Sequence, residues 1–217
     1  MIDSPFLNKQ NEIEKNWTGD LPHWHQLEKM QYLTFRLNDS LSELHRRILM
    51  EIRDHFLENH PKPWDKATLR QYYRVIGPKE EGLLDAGYGS CVLKRPEIRN
   101  ILVDSLHFED GKKYHLVGYV IMPNHVHLVM TPEGENKVST LVGRIKQYSS
   151  NRINRLCNRK GVFWKRESFD RVVRSYDNLI KILDYIISNP KNLSSTEYTL
   201  YINPDFQFLL GNKIAKY

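Results

Sequence analysis

The sequence of 217 residues has little cysteine and no long apolar run. Its two cysteines, Cys91 and Cys157, lie far apart and outside any metal-ligand spacing, so we expect reduced thiols in a cytoplasmic protein. No apolar run approaches the roughly 20 residues of a membrane span, and the first residues lack the basic start and apolar stretch of a signal peptide. These absences exclude disulfide-rich secreted proteins and membrane-spanning proteins, and we expect no membrane partner.

Internal repeats and low-complexity tracts are absent as well. The length and a charged fraction of 27% fit one globular domain, residues 1–217. Within it we expect an N-terminal arm over residues 1–30, a helical insertion over residues 44–80 and a C-terminal tail over residues 191–217.

Positive charge is concentrated in one segment. The chain carries a net charge of +6, whereas residues 137–174 alone hold eleven Lys or Arg and two acidic residues, a net charge of +9. Such a segment favours a polyanionic partner, nucleic acid above all. A solvated basic helix face is the alternative.

Hydrophobic periodicity predicts an α+β fold with antiparallel pairing and helices over one face of a sheet. Strands are expected at residues 31–37, 113–122 and 125–132, and the last two form a hairpin around Pro123-Asn124. Residues 162–173 are strand-like, residues 84–93 form a short strand or turn, and residues 21–26 form an irregular arm. Helices are expected at residues 41–60, 66–80, 96–107, 138–159 and 178–190.

Two histidines, His125 and His127, lie one residue apart in MPNHVHLVM (residues 122–130). Because alternate residues of a strand share a face, both imidazoles point the same way and form half of a metal site. Two unrelated sheet histidines are the alternative. A second pair, His23 and His25 in LPHWHQ, lacks a strand pattern, so we favour a structural or DNA-contact role for it.

The last helix offers a possible nucleophile. Tyr185 lies roughly opposite the apolar stripe, and Asn189 lies one turn later. A divalent cation held by the two histidines and the Asn189 oxygen could polarise a phosphodiester while Tyr185 attacks the phosphorus. Nitrogen and amide-oxygen ligands suit Mn²⁺ or Mg²⁺ better than a closed zinc site.

This pattern resembles the HUH single-tyrosine transposases, and more closely the REP-associated tyrosine transposases among the IS200-like enzymes. The matching stretches are LPHWHQ…YLTFRLNDSL (residues 21–41), LDAGYGSCVL (84–93), VIMPNHVHLVM (120–130), GVFWKRESFDRVVR (161–174) and YIISNP (185–190). The resemblance implies a ferredoxin-like (RRM-like) α+β domain. It also implies metal-dependent cleavage and joining of single-stranded DNA, usually at short palindromes that fold into hairpins.

Carried over by position, the resemblance implies that His125, His127 and Asn189 bind Mg²⁺ or Mn²⁺. Tyr185 is then the nucleophile, which becomes linked to the 5′ phosphate and frees a 3′-OH. The residues after Pro190 lack the short apolar continuation of many family members, which bears on recognition of the DNA hairpin. Whether the chain acts as a monomer or a homodimer is left open.

Several other residues are candidates for contacts with DNA. Tyr148 is the rival nucleophile, although no ligand-type residue lies one turn after it and a tyrosine on a basic helix more often stacks on a base or packs. Phe163 and Trp164 could equally stack on bases or fill the core. The DNA-binding candidates are Arg144, Lys146, Arg152, Arg155, Trp164, Arg171 and Arg174.

Three functions are therefore considered. The first is an active single-strand DNA transposase, and the second is a domesticated DNA-hairpin binding protein that no longer cuts. Intact histidine, tyrosine and asparagine positions argue against the second. The third is a relaxase or a rolling-circle replication initiator. Those enzymes tend to be longer and to carry helicase domains, whereas this sequence has no GxxxxGK[ST] phosphate-binding loop.

Overall fold

The computed structural model describes residues 4–8, 14–18 and 21–211. The strands are β1 (Glu14–Thr18), β2 (Leu21–His25), β3 (Gln31–Arg36), β4 (Tyr114–Ile121), β5 (His125–Pro132), β6 (Phe169–Val172) and β7 (Thr199–Ile202). The helices are α1 (Glu43–Asn59), α2 (Lys66–Asp85), α3 (Pro96–His107), α4 (Val138–Leu156), α5 (Tyr176–Ser188) and α6 (Pro204–Gln207). Short 3₁₀ helices lie at Val92–Lys94 and Asn189–Asn192. Among the described residues, no helix combines the length and the hydrophobicity that a bilayer crossing requires.

The central sheet has five strands in the order β6-β3-β5-β4-β7, and all neighbours are antiparallel. Apart from α1 and α2, which are inserted between β3 and α3, the chain order β3-α3-β4-β5-α4-β6 is the βαββαβ arrangement of ferredoxin-like domains. The predicted fold class is therefore confirmed. The β4–β5 hairpin turns at Pro123-Asn124 as expected, and this turn places both histidines at the start of β5.

Helices cover both faces of this sheet, so the expectation of helices over one face was wrong. On one face, Leu128 and other β5 residues pack against α3 and α4. On the opposite face, Val129 and Val120 pack against α5. The physical reason is that the central strands are apolar on both sides, and each apolar face must be covered.

The capped first turn and the apolar stripe of helix α5 fix its rotation about its own axis. This rotation determines where the Tyr185 side chain lies. The Ser175 hydroxyl caps the first turn by accepting a hydrogen bond from the Asn178 amide at 3.2 Å. The buried stripe is Leu179, Ile182, Leu183, Ile186 and Ile187. Tyr185 lies beside this stripe and is half-buried, at the edge of the sheet face that α5 covers.

Three segments differ from the sequence expectation. The arm at residues 21–26 contains β2, which pairs with β1, because an edge strand tolerates Pro22 and such a strand shows weak alternation. For residues 84–93, where a short strand or a turn was expected, the structure has the turn, between the end of α2 and the 3₁₀ helix. Within residues 162–173 only β6 is a strand, and the predicted tail contributes β7, which pairs with β4.

The turn after α2 depends on Gly89. This residue has a φ of +88°, and a Cβ atom there would lie 2.2 Å from the Asp39 carbonyl oxygen. No side chain fits between these two backbone segments. The turn is therefore held against the residues that follow β3, where Ser90 N also donates to the Asp39 carboxylate at 3.2 Å.

We expect Gly89→Ala to lower the free energy of unfolding by about 3 kcal/mol, because backbone strain and a backbone collision add together. Gly111→Ala is the matched control, since Gly111 also has a positive φ (+70°) but open space around it. It should cost only about 1 kcal/mol. Urea unfolding measures both values, and equal losses would contradict the close approach to Asp39.

Candidate functional site

Both histidines of β5 are buried on one face of the sheet with their rings in contact. His125 and His127 are 1% and 0% exposed. Their Nε2 atoms lie 3.0 Å apart. The two ring nitrogens therefore converge on one point next to α5.

The orientation of His125 is fixed by Asn124. The Asn124 side-chain nitrogen donates to the backbone carbonyls of Leu84 and Tyr88, each at 3.1 Å. The Asn124 Oδ1 atom must then accept, and it lies 2.7 Å from His125 Nδ1. The His125 proton is therefore on Nδ1, which leaves the lone pair of Nε2 available to a ligand.

His127 is held by two hydroxyl groups from β3. Its Nδ1 atom lies 2.7 Å from Tyr32 Oη and 2.9 Å from Thr34 Oγ1. The antiparallel register places Thr34 directly opposite His127. Because a hydroxyl group can donate or accept, these partners satisfy either tautomer of the imidazole.

Both imidazoles are neutral at pH 7. Burial, with a contribution from the Arg36 guanidinium, lowers the pKa of His125 to about 3. Burial, then the neighbouring His125 and Arg171, holds the pKa of His127 well below its ordinary value. A neutral imidazole is the form that binds metal ions.

Tyr185 and Asn189 meet the histidine pair. Tyr185 Oη lies 3.4 Å from His127 Nε2, and the two rings meet edge to face with centroids 5.0 Å apart. The Asn189 Oδ1 atom is buried, and no hydrogen-bond partner for it exists among the described residues. The four residues selected from the sequence therefore lie together, and all of them come from one chain.

The Tyr185 phenol is surrounded by groups that oppose its ionisation. Burial raises its pKa well above the ordinary value, and Tyr32 and the carboxylates of Glu81 and Asp85 raise it further. The neighbouring Asn189 side-chain amide acts in the opposite direction and lowers the pKa. The isolated phenol is therefore protonated, and it needs a nearby positive charge to become a nucleophile.

Two acidic residues of α2 were missed by the sequence analysis. Asp85 Oδ1 lies 3.8 Å from His125 Nε2. Burial raises the pKa of Asp85 and also that of Glu81, one turn earlier. The only signal in the sequence was a pair of acidic residues four apart, directly after the helix predicted at residues 66–80, which in the structure continues to Asp85. Nothing local indicates that this helix end reaches the histidines.

The residues present fit a divalent metal ion. With nitrogen–metal distances of about 2.1 Å, two nitrogens 3.0 Å apart subtend about 90° at the ion, as neighbouring octahedral ligands do. The buried Asn189 oxygen, one helical turn after Tyr185 and without a hydrogen-bond partner among the described residues, could provide a third donor. Among the described residues, no three His, Cys, Asp or Glu side chains are grouped to hold a metal, so a metal here would need a ligand of another type, such as an amide oxygen.

The other residues predicted to contact DNA lie at three places in the structure. Arg171, on β6, lies over the Tyr32 ring at 4.9 Å, next to the site. Arg174 is exposed just before α5. Arg144, Arg152 and Arg155 are on α4, across the sheet from Tyr185, and the rival tyrosine Tyr148 is on the same helix. The sheet therefore separates Tyr148 from the histidines.

Two of the residues predicted to contact DNA have side chains that make contacts inside the protein. Trp164 is 5% exposed, packs edge to face on Phe35, and donates to Ser149 Oγ at 3.0 Å. It fills the core with Phe163 and does not stack on bases, which corrects that expectation. The Lys146 ammonium donates to the carbonyls of Lys165 and Arg166 and to Ser168 Oγ, so its three protons hold the segment before β6.

In comparison with known proteins, a family match covers the part of the chain that contains the histidine pair, Tyr185 and Asn189. Residues 96–189 match the family model of IS200-like transposases, and this segment contains all four clustered residues. Among solved structures, a REP-associated tyrosine transposase bound to a REP hairpin is 14% identical, with a TM-score of 0.44, and the match covers 81% of this chain and 74% of that one. A protein described as a candidate transposase from Deinococcus radiodurans is 13% identical, with a TM-score of 0.36 and coverages of 76% and 93%. No curated protein matches the sequence.

Asn124→Ala should lower the free energy of unfolding by about 3 kcal/mol, because two buried carbonyls and His125 Nδ1 lose their partner. Asn59→Ala is the control, since exposed Asn59 donates to the carbonyl oxygen of His55 and contacts the His55 ring nitrogen, both within α1. It should cost at most about 0.5 kcal/mol. Thermal unfolding of both variants measures the difference. Similar losses would mean that Asn124 does not anchor the histidine.

Proposed function

We propose that this chain, of which residues 96–189 match the family model of IS200-like transposases, cleaves and rejoins single-stranded DNA through a phosphotyrosine at Tyr185. The substrates that we propose are short palindromes that fold into hairpins. The observation that carries the proposal is the approach of Tyr185 Oη to within 3.4 Å of His127 Nε2, beside a neutral histidine pair. The half-buried phenol of Tyr185 therefore lies beside the nitrogens that we propose as metal ligands.

The proposed metal ligands are His125 Nε2, His127 Nε2 and Asn189 Oδ1. When bound, a Mg²⁺ or Mn²⁺ ion would neutralise charge on the non-bridging phosphate oxygens and favour the ionised phenol. The unpartnered Asn189 oxygen supports this assignment, since a buried acceptor without a donor is costly unless a ligand satisfies it.

The covalent step exchanges one phosphate ester for another. The Tyr185 oxygen forms a bond to phosphorus, and the bond from phosphorus to the 3′ oxygen breaks. The phenolic proton passes to solvent, and the departing oxygen takes up a proton to become a 3′-OH. Attack by a 3′-OH on the phosphotyrosine reverses the step, so strands are joined without an external energy source.

The surrounding charges support binding of a phosphate at this point. Arg171 lies over the Tyr32 ring on the side of the histidines and supplies a fixed cation. Glu81 and Asp85 oppose an anion near the phenol unless a cation is bound. This balance makes phosphate binding and metal binding depend on each other.

Tyr185→Phe should abolish the covalent adduct with a labelled hairpin oligonucleotide in Mn²⁺, because the attacking oxygen is removed. Denaturing electrophoresis detects the adduct, and mass mapping locates it. Tyr148→Phe is the matched control and should form the adduct at the wild-type rate. Adduct formation by the Tyr185 variant would refute the assignment. Hairpin binding without any adduct in the wild-type protein would favour the domesticated DNA-hairpin binding protein.

The metal site has its own test, which does not depend on catalysis. His125→Ala should weaken Mn²⁺ binding, measured by calorimetry without DNA, by at least the roughly 10–100-fold that loss of an outer-shell partner costs. His115→Ala is the control, since His115 is exposed on the neighbouring strand β4. Unchanged Mn²⁺ affinity in the His125 variant would remove these ligands from the proposal.

A further inference from the structure

A second surface lies across the sheet from Tyr185, where α3 and α4 pack together. Two large aromatic side chains are exposed there: Phe108, at the end of α3, is 73% exposed, and Tyr148, on α4, is 45% exposed. Neither ring contributes to the buried core clusters. Their exposure costs apolar burial and calls for a role outside packing.

The two rings form the walls of an open slot. They are nearly parallel, with an interplanar angle of 11°, and their centroids are 6.5 Å apart. Both rings line one open cavity, and their exposed parallel faces offer surfaces on which one flat base can stack.

Polar groups lie at the base of this slot. A cavity of about 340 Å³ is lined by the two rings and by Ser105, Glu109, Arg144, Ile145, Gln147 and Asn151. The amides of Gln147 and Asn151 can both donate and accept, as base edges require. Arg144 Nε is buried without a hydrogen-bond partner among the described residues. An acceptor on a bound base would satisfy it.

Cations flank both rings. Lys112 Nζ lies 5.9 Å from the Phe108 centroid. Arg152 lies 5.5 Å from the Tyr148 centroid and donates to its hydroxyl at 2.6 Å. The acidic Glu109 is paired with Lys113 at 2.6 Å and faces Arg144 at 3.5 Å. Positive charge on both sides of an aromatic slot suits a base that is followed and preceded by phosphates.

From this geometry we infer that the slot between Phe108 and Tyr148 holds one unpaired base of the DNA substrate. This inference rests on the proposed function for the identity of the ligand as DNA. The site lies on the sheet face opposite the phosphotyrosine chemistry, so it recognises the strand and takes no part in bond breaking. Cations beside both rings favour a nucleotide over an apolar peptide side chain.

The test compares an oligonucleotide of twelve thymidines with an abasic strand of equal length and charge. Fluorescence anisotropy in EDTA gives both affinities of the full chain without cleavage. The wild-type protein should bind the thymidine strand about tenfold more tightly, since stacking on aromatic side chains stabilises each base. Phe108→Ala should lose most of this preference and keep its affinity for the abasic strand.

Two further variants make the test specific. Tyr148→Phe keeps the ring and should keep the preference, whereas Tyr148→Ala should lose it. Phe208→Ala removes a phenylalanine that is equally exposed (74%) but lies in a distant part of the sequence. This variant should keep the wild-type preference for the thymidine strand. An unaltered preference in Phe108→Ala would overturn the inference.

The outcome is independent of the adduct assay. If the adduct forms on Tyr185 but the preference for the thymidine strand does not depend on Phe108, the proposed enzymatic function stands and the base-binding slot is rejected. A base preference that depends on Phe108, without any adduct, would retain the slot and reject the enzyme.

Discussion

The hydrogen bond between Asn124 and His125 links three parts of the molecule. Asn124 occupies the turn of the β4–β5 hairpin, its amide nitrogen is held by carbonyls at the end of α2, and its oxygen fixes the proton of His125. The histidine can expose an unprotonated nitrogen only because this network is complete. The position of α2, the hairpin turn and the sheet face that carries the two histidines are therefore linked by one buried side chain.

The residues that local geometry determines could be predicted from the sequence. His125 and His127 share a face because a strand alternates, and Asn189 follows Tyr185 because a helix brings residues four apart together. These rules need no knowledge of the rest of the fold. The succession of periodic segments also predicted an α+β fold with antiparallel pairing, and the resemblance of the motifs implied its ferredoxin-like order.

Features that depend on distant packing could not be predicted. Asp85 reaches His125 only because α2 ends beside the β4–β5 turn, and no local pattern encodes that crossing. The short strand β7 acquires its structure from β4, which supplies its hydrogen bonds. Trp164 was ambiguous in sequence because an aromatic residue in a basic loop suits a base or a core equally well. Ser149 and Phe35, which decide the matter, are far away in the chain.

The sheet has a helix layer on each face, with the histidine pair on the side of α5 and the exposed aromatic pair on the side of α3 and α4. A nucleic-acid strand that touches both surfaces must travel around an edge of the sheet, since the interior is closed. The thickness of the domain then fixes how many nucleotides separate the two contacts. In that case the body of the protein acts as a ruler, and the position of a cut is measured by distance along the strand.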